Sequence, residues 1–175
     1  MDARAAAPTT AHDGWSDPAL DLLGMLDPDE LAMAAAVVLA DGHLTPGELA
    51  VAVASSPTAG AAAIDVLERT GLVRPVPQGS ITVAHAFLRE ALLDHLDPLV
   101  RRRLHAVLTP ALETTGAPAA LVAAHAEASA DPRLAAGGIR AAAAACRDAL
   151  RVGELDVAAT LLARIERLAD ALPAA

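Results

Sequence analysis

Asp-Pro and Thr-Pro pairs recur along this chain in front of alanine- and leucine-rich runs, and they constrain its fold more than any other feature. An Asp or Thr at the N-cap accepts from the first free backbone N–H groups of a helix. A proline at the first helical position gives up an N–H that would be unpaired anyway. Asp17-Pro18 and Asp27-Pro28 therefore predict helices over about 18–26 and 28–40, the second closed by Asp41-Gly42. Thr45-Pro46, with Glu48 at the capping-box position, opens a helix to Ala54. A fourth runs from about Thr58 to Arg69 and stops at Gly71.

The period then changes. Leu72 to Val76 and Ile81 to Val83 are short β-branched runs around Pro77-Gln78-Gly79-Ser80, which has the residues of a hairpin turn. Helical patterning resumes after His85 and runs through Leu96. Asp97-Pro98 opens a longer helix to about Leu108, with Val100, Leu104, Val107 and Leu108 on its expected inner face, and Pro110 should break or kink it. Beyond Gly116, helices are expected over about 118–129, 132–151 and 154–172, parted by Asp131-Pro132 and Gly153.

Composition agrees with a mainly α fold. Hydrophobic residues make up 54% of the 175, much of it alanine, with one Phe, one Trp and no Tyr, so the core must come from close helix approach and aliphatic knobs. The longest apolar run, Leu31 to Ala40, is too short to cross a bilayer. One cysteine, Cys146, supports no disulfide framework and suits a reducing, cytoplasmic setting; in its alanine seam it reads as a packed small hydrophobe. Residues 1–17 lack apolar periodicity and read as a flexible leader, with Trp15 expected to fold back onto the nearest helix.

All thirteen basic residues are Arg. The net charge of −9 lies wholly in residues 1–70, where eleven acidic residues meet Arg4 and Arg69, while residues 71–175 balance. That distribution opposes nucleic-acid binding by the front of the chain. The helix from about Thr58 to Arg69, with Asp65 and Glu68 against a single Arg, is expected to be a packing element.

Gly71-Leu72-Val73, the run Val83-Ala84-His85-Ala86-Phe87-Leu88-Arg89-Glu90-Ala91, and Arg101-Arg102-Arg103-Leu104-His105 resemble the segment that follows the ATPase module in actinobacterial LuxR-type regulators. The resemblance covers about residues 18–172. It implies a winged-helix-like bundle with one β-hairpin and a connecting helix (18–108), followed by antiparallel helical hairpins of tetratricopeptide-like form (109–175). Ala142, Ala145, Cys146 and Ala149 would be contact positions of one repeat helix, Gly153 the turn, and Ala158, Leu162 and Ile165 those of the next.

The resemblance also implies a role in transcription regulation and a place for His85, since the winged helix of such ATPases often carries a phosphate-sensing histidine at this junction. Here the chain departs from the family. Without any Lys it cannot carry the phosphate-binding loop G-x-x-x-x-G-K-[ST], and the terminal DNA-binding module is missing as well. His85 is thus expected to tie the hairpin to the following helix, sensing phosphate only with a nucleotide site supplied in trans.

The expected function is a non-catalytic interaction or relay module, whether fragment, degenerate paralogue or separate subunit, with no cofactor, metal or small-molecule substrate. Its expected contacts are a protein partner or self-association through the C-terminal helix, where Leu161 and Leu168 lie on an apolar arc too wide for one helix partner. Arg101, Arg102 and Arg103, with His105, form the dense basic patch. By default this is a solvated face; in the alternative reading it serves a stand-alone DNA-binding regulator. His85, His95 and His105 recur every ten residues, which is not a metal-ligand spacing on one helix.

Overall fold

The computed structural model describes residues 18–54 and 56–172; the leader over 1–17, with Trp15, lies outside them. Helices α1 (Pro18–Leu23), α2 (Pro28–Ala40), α3 (Pro46–Val53) and α4 (Pro57–Arg69) come first, and strands β1 (Val73–Pro75) and β2 (Ile81–Val83) follow. Then come α5 (Ala86–His95), α6 (Pro98–Thr114), α7 (Ala119–Ser129), α8 (Pro132–Val152) and α9 (Leu155–Asp170). The chain is mainly helical, with one antiparallel hairpin among the described residues.

The start signals act as caps. Asp27 accepts from the N–H groups of Asp29 and Glu30, and Thr45 from that of Glu48, each completing a capping box. Asp97 and Asp131 likewise accept from the first turns of α6 and α8. Ser56, which patterning did not single out, caps α4 one residue earlier than expected.

Helices α2, α3 and α4, the hairpin and then α5 follow one another in winged-helix order. Val73 pairs with Val83 and Pro75 with Ile81 across the two strands, and a 3-10 turn at Pro77–Gly79 joins them. Helix α4 crosses α3 closely: a Cβ on Gly60 would stand 2.5 Å from that of Ala50, so only glycine permits the approach. Met33, Val37, Leu44, Leu49, Leu67, Ile81 and Leu88 fill the space between these elements.

Pro110 neither ends nor splits α6, so of the expected break or kink the break does not occur. Leu104 and Leu108 before it and Leu112 after it are buried in one core, which holds the turns on both sides of it in place. Pro110 itself is exposed. Burying three leucines outweighs the cost of about 3 kcal/mol for an interior proline. The boundary expected at 108/109 consequently falls inside α6, and the first core cluster continues through Leu112 to Val122 of α7.

The inner face of α6 is also rotated from the expected one. Val100 and Val107 are exposed, while Leu104, His105, Leu108, Thr109 and Leu112 are buried. From α6 onward, each helix packs against the next as far as α9, and Gly153 in the left-handed region makes the last turn. None of the helices described is long and apolar enough to cross a membrane.

Candidate functional site

The joint between the winged-helix-like bundle and the helical hairpins holds, alone among the described residues, a buried side-chain hydrogen bond between two ring systems. His105 of α6 and His125 of α7 are both buried, with their Nδ1 atoms 3.2 Å apart and the rings edge to face. His125 Nε2 lies 3.0 Å from the carbonyl oxygen of Leu39 near the end of α2. One polar chain thus runs from α2 through α7 to α6. Burial, with His125 and Arg101 nearby, pushes the His105 pKa down to about 4. Burial lowers that of His125 too, opposed by its bond to Leu39. Neutral rings are what such a site holds. No third His, Cys, Asp or Glu joins them to form a metal-binding group among the described residues.

The sequence pattern does not single out His125, and it places His105 in a surface patch that the buried ring does not join. The available signal was a lone imidazole in the apolar run Ala119 to Ala126.

His85 sits at the N-cap of α5, exposed, stacked on the half-exposed Phe87 with ring centroids 5.4 Å apart. Its side chain makes no capping bond, so the tie expected of it falls elsewhere. Arg89, one turn on, reaches from α5 to the Asp41 carboxylate at 2.8 Å and the Val38 carbonyl at 3.3 Å. The backbone N–H of Ala84 donates to the Leu72 carbonyl and closes the hairpin. His85 is left presenting its ring outward beside the wing.

Arg101, Arg102 and Arg103 are exposed on the first half of α6 and form no ion pair among the described residues. With His105 turned inward, the patch is three guanidinium groups. Arg102 and Arg103 border an open depression that continues to the α7–α8 turn, where Arg133 is already paired with Asp131. A second open depression, apolar and about 480 Å³, lies between α3 and α6 against Val51, Val107 and Pro110.

Leu161 and Leu168, expected at an open interaction face, are each only 3% exposed. Leu161 packs among Ala123, Ala142, Cys146, Ala149 and Ala158, and Leu168 against Ala126 and Ala135. The reason is that α7 as well as α8 reaches α9. Glu127 of α7 holds Arg164 at 2.6 Å and also bonds Arg167, which turns the Leu161–Leu168 side inward. The most open apolar side chains of α9 are Leu155, 68% exposed, and Leu162, 52% exposed, with Val157 less so; Leu162 is one of the positions expected as a repeat contact. Leu150 and Val152 at the end of α8 are open too.

Compared with known proteins, the chain matches no family model, no curated sequence and no solved structure.

Proposed function

We propose that this chain is a non-catalytic relay module of the LuxR-type regulatory ATPase kind, acting by protein contacts in the cytoplasm. The observation that carries this reading is the polar joint at His125. A winged-helix-like bundle and a stack of helical hairpins are bonded through Leu39, His125 and His105 at a point buried in both. Displacement of the wing is then felt by α7, and through it by α8 and α9. A relay needs such a stiff junction; a flexible linker would lose the signal.

The outward ring of His85 supports the same reading. It stands at a helix start, where free backbone N–H groups and a ring donor favour an anion, and nothing within the described chain occupies it. In this proposal a phosphate site supplied by a partner ATPase meets it there.

The test uses a purified LuxR-type ATPase lacking its own middle section. Adding this chain should change its ATP turnover, and His85→Ala should abolish the change while leaving the fold intact. The chain alone should give no saturable binding of Mg-ATP. An unaltered turnover at saturating chain, or tight ATP binding by the chain itself, would sink the proposal.

Arg101 to Arg103, exposed and without an ion pair among the described residues, favour one second reading, direct DNA binding. Against it, the solvent side of α4 presents Asp65 and Glu68. A sequence-selective gel shift that survives about 150 mM salt and is lost on replacing the three arginines would establish that reading.

A further inference from the structure

Helix α7 covers the α8–α9 hairpin on one side. Gly138, Ala141 and Ala145 of α8 lie toward α7 or the first core, and on α9 Arg164 and Arg167 reach back to Glu127. Among the described residues, the reverse side has no neighbour. Seven-residue spacing places Ala143 and Leu150 on that side of α8, and Leu155, Leu162 and Ala169 on that side of α9. Leu150 and Leu162 are each 52% exposed and Leu155 more so, an apolar stripe along both helices.

The two borders of this stripe carry opposite charge. Arg140 and Arg147 lie along the outer edge of α8, and Glu166 and Asp170 along the outer edge of α9. All four are exposed, and none forms an ion pair among the described residues, whereas Arg133, Arg151, Arg164 and Arg167 are all engaged.

We propose that a second copy of this chain covers the face, in a twofold dimer with α8 of each protomer lying antiparallel on α9 of the other. A twofold axis in the interface plane can run across the helices or along them. Across them, α8 stacks on its own copy and arginine meets arginine. Along them, α8 stacks on α9 of the partner, so the basic border meets the acidic one twice. The Gly153 turn sets the levels: Gly138 lies beside Leu168, and the Cys146 thiol beside the Ala158 carbonyl. By the same count Arg140 stands level with Glu166, Ala143 with Leu162 and Leu150 with Leu155. A rotation along the helix axes preserves level, so it sets Arg140 against Glu166 and the small Ala143 against the large Leu162. This arrangement is isologous and closes on itself.

The inference deepens the protein-contact reading above and rests on it, naming the partner of this face. Helices of 21 and 16 residues are about 30 and 24 Å long, enough for an interface near the low end of specific ones, about 1,000–1,200 Å² in total. An interface of this size class, made of two apolar stripes and two charge pairs, is expected to be weak, in the range of about 10–100 μM.

Sedimentation velocity on the full chain from about 10 to 300 μM should show a reversible monomer–dimer equilibrium. Arg140→Glu alone and Glu166→Arg alone should each weaken the dimer about tenfold or more, since each repeats a like-charge contact twice. Mixing these two variants in equal amounts should restore dimers, because both contacts then join opposite charges. Both sites are exposed, so circular dichroism should be unchanged. A wild-type monomer at about 300 μM, open-ended oligomers, or a mixture no tighter than either variant would each overturn the proposal. A monomer that still altered the turnover of a partner ATPase would remove the dimer and leave the relay reading. A dimer without effect on any ATPase would do the reverse.

Discussion

His105 donates its Nδ1 proton to Nδ1 of His125, and the geometry leaves no other assignment for two neutral rings. The Leu39 carbonyl can only accept, so His125 Nε2, 3.0 Å away, carries the hydrogen. Its Nδ1 is then a lone pair facing His105 at 3.2 Å. Protonating either ring alters this chain. A proton on His125 Nδ1 would set two donors face to face, and one on His105 would add a buried charge beside His125 and Arg101.

The joint should therefore weaken in acid. The His105 pKa is depressed to about 4 from an unfolded value near 6.5, so the unfolded chain binds the proton first as pH falls. Stability is full above about 6.5 and drops as pH falls toward 4, by about 2–3 kcal/mol from this group. Urea unfolding from pH 7.5 to 4.5 should show the slope, and His105→Gln, which cannot charge, should flatten it. Equal slopes for the two proteins would refute the assignment.

Glu127→Ala should cost about 1–2 kcal/mol. It leaves Arg164, with a side chain only 20% exposed, without its counter-ion, and it also releases Arg167. The loss is local to the α7–α9 contact. Hydrogen exchange should accelerate in α9 well before α2 or α4, and uniform acceleration across the chain would contradict a local clamp.

The helix starts were legible because their chemistry is local. Asp27, Thr45, Asp97 and Asp131 each bond N–H groups two or three residues on, so a dipeptide suffices to announce them. The phase of α9 was not. Leu161 and Leu162 are about 100° apart on the wheel and chemically identical, and only the approach of α7, with Glu127 gripping Arg164, decides which is buried. His105 and His125 are twenty residues apart, and they meet only once α6 and α7 have packed side by side. Next to three arginines His105 looked like surface, yet it shares a face with Leu108 and Leu112, and that periodicity was the better guide.

Pro110→Ala should stabilise the protein. Within α6 a residue at 110 with an N–H could donate to the Ala106 carbonyl, a bond proline cannot make, and its ring crowds that carbonyl as well. Against this, proline restricts the unfolded chain by about 0.4–1 kcal/mol. The helix term, about 3 kcal/mol, is larger, leaving a net gain of about 2–2.5 kcal/mol, or roughly 4–10 °C in melting temperature for a chain of this size. A fall in melting temperature would mean that the restriction proline places on the unfolded chain outweighs the hydrogen bond that α6 lacks at this position.

Adjacent glycines in α8 should respond in opposite directions to the same substitution. Both are helical, so by propensity alone each change to alanine gains about 1 kcal/mol. At Gly137 the added methyl meets only the end of the Arg140 side chain at 3.7 Å, ordinary contact with a group free to move, and the gain should be realised. At Gly138 it would stand 2.6 Å from Cβ of Ala126 and 3.1 Å from a methyl of Leu168. Ala126 has no rotamer to yield, so α7 and α8 must separate, loosening the cluster that Ala126 forms with Ala135 and Leu168. Overpacking of this kind costs about 1–3 kcal/mol and exceeds the propensity gain. Thermal melts should place Gly137→Ala above the wild type and Gly138→Ala below it. Separating α7 from α8 also strains the α6–α7 joint at His105 and His125, so Gly138→Ala should unfold at a higher pH than the wild type on acid titration. Both variants melting above the wild type would mean that the close approach of α7 and α8 is not what keeps glycine at 138.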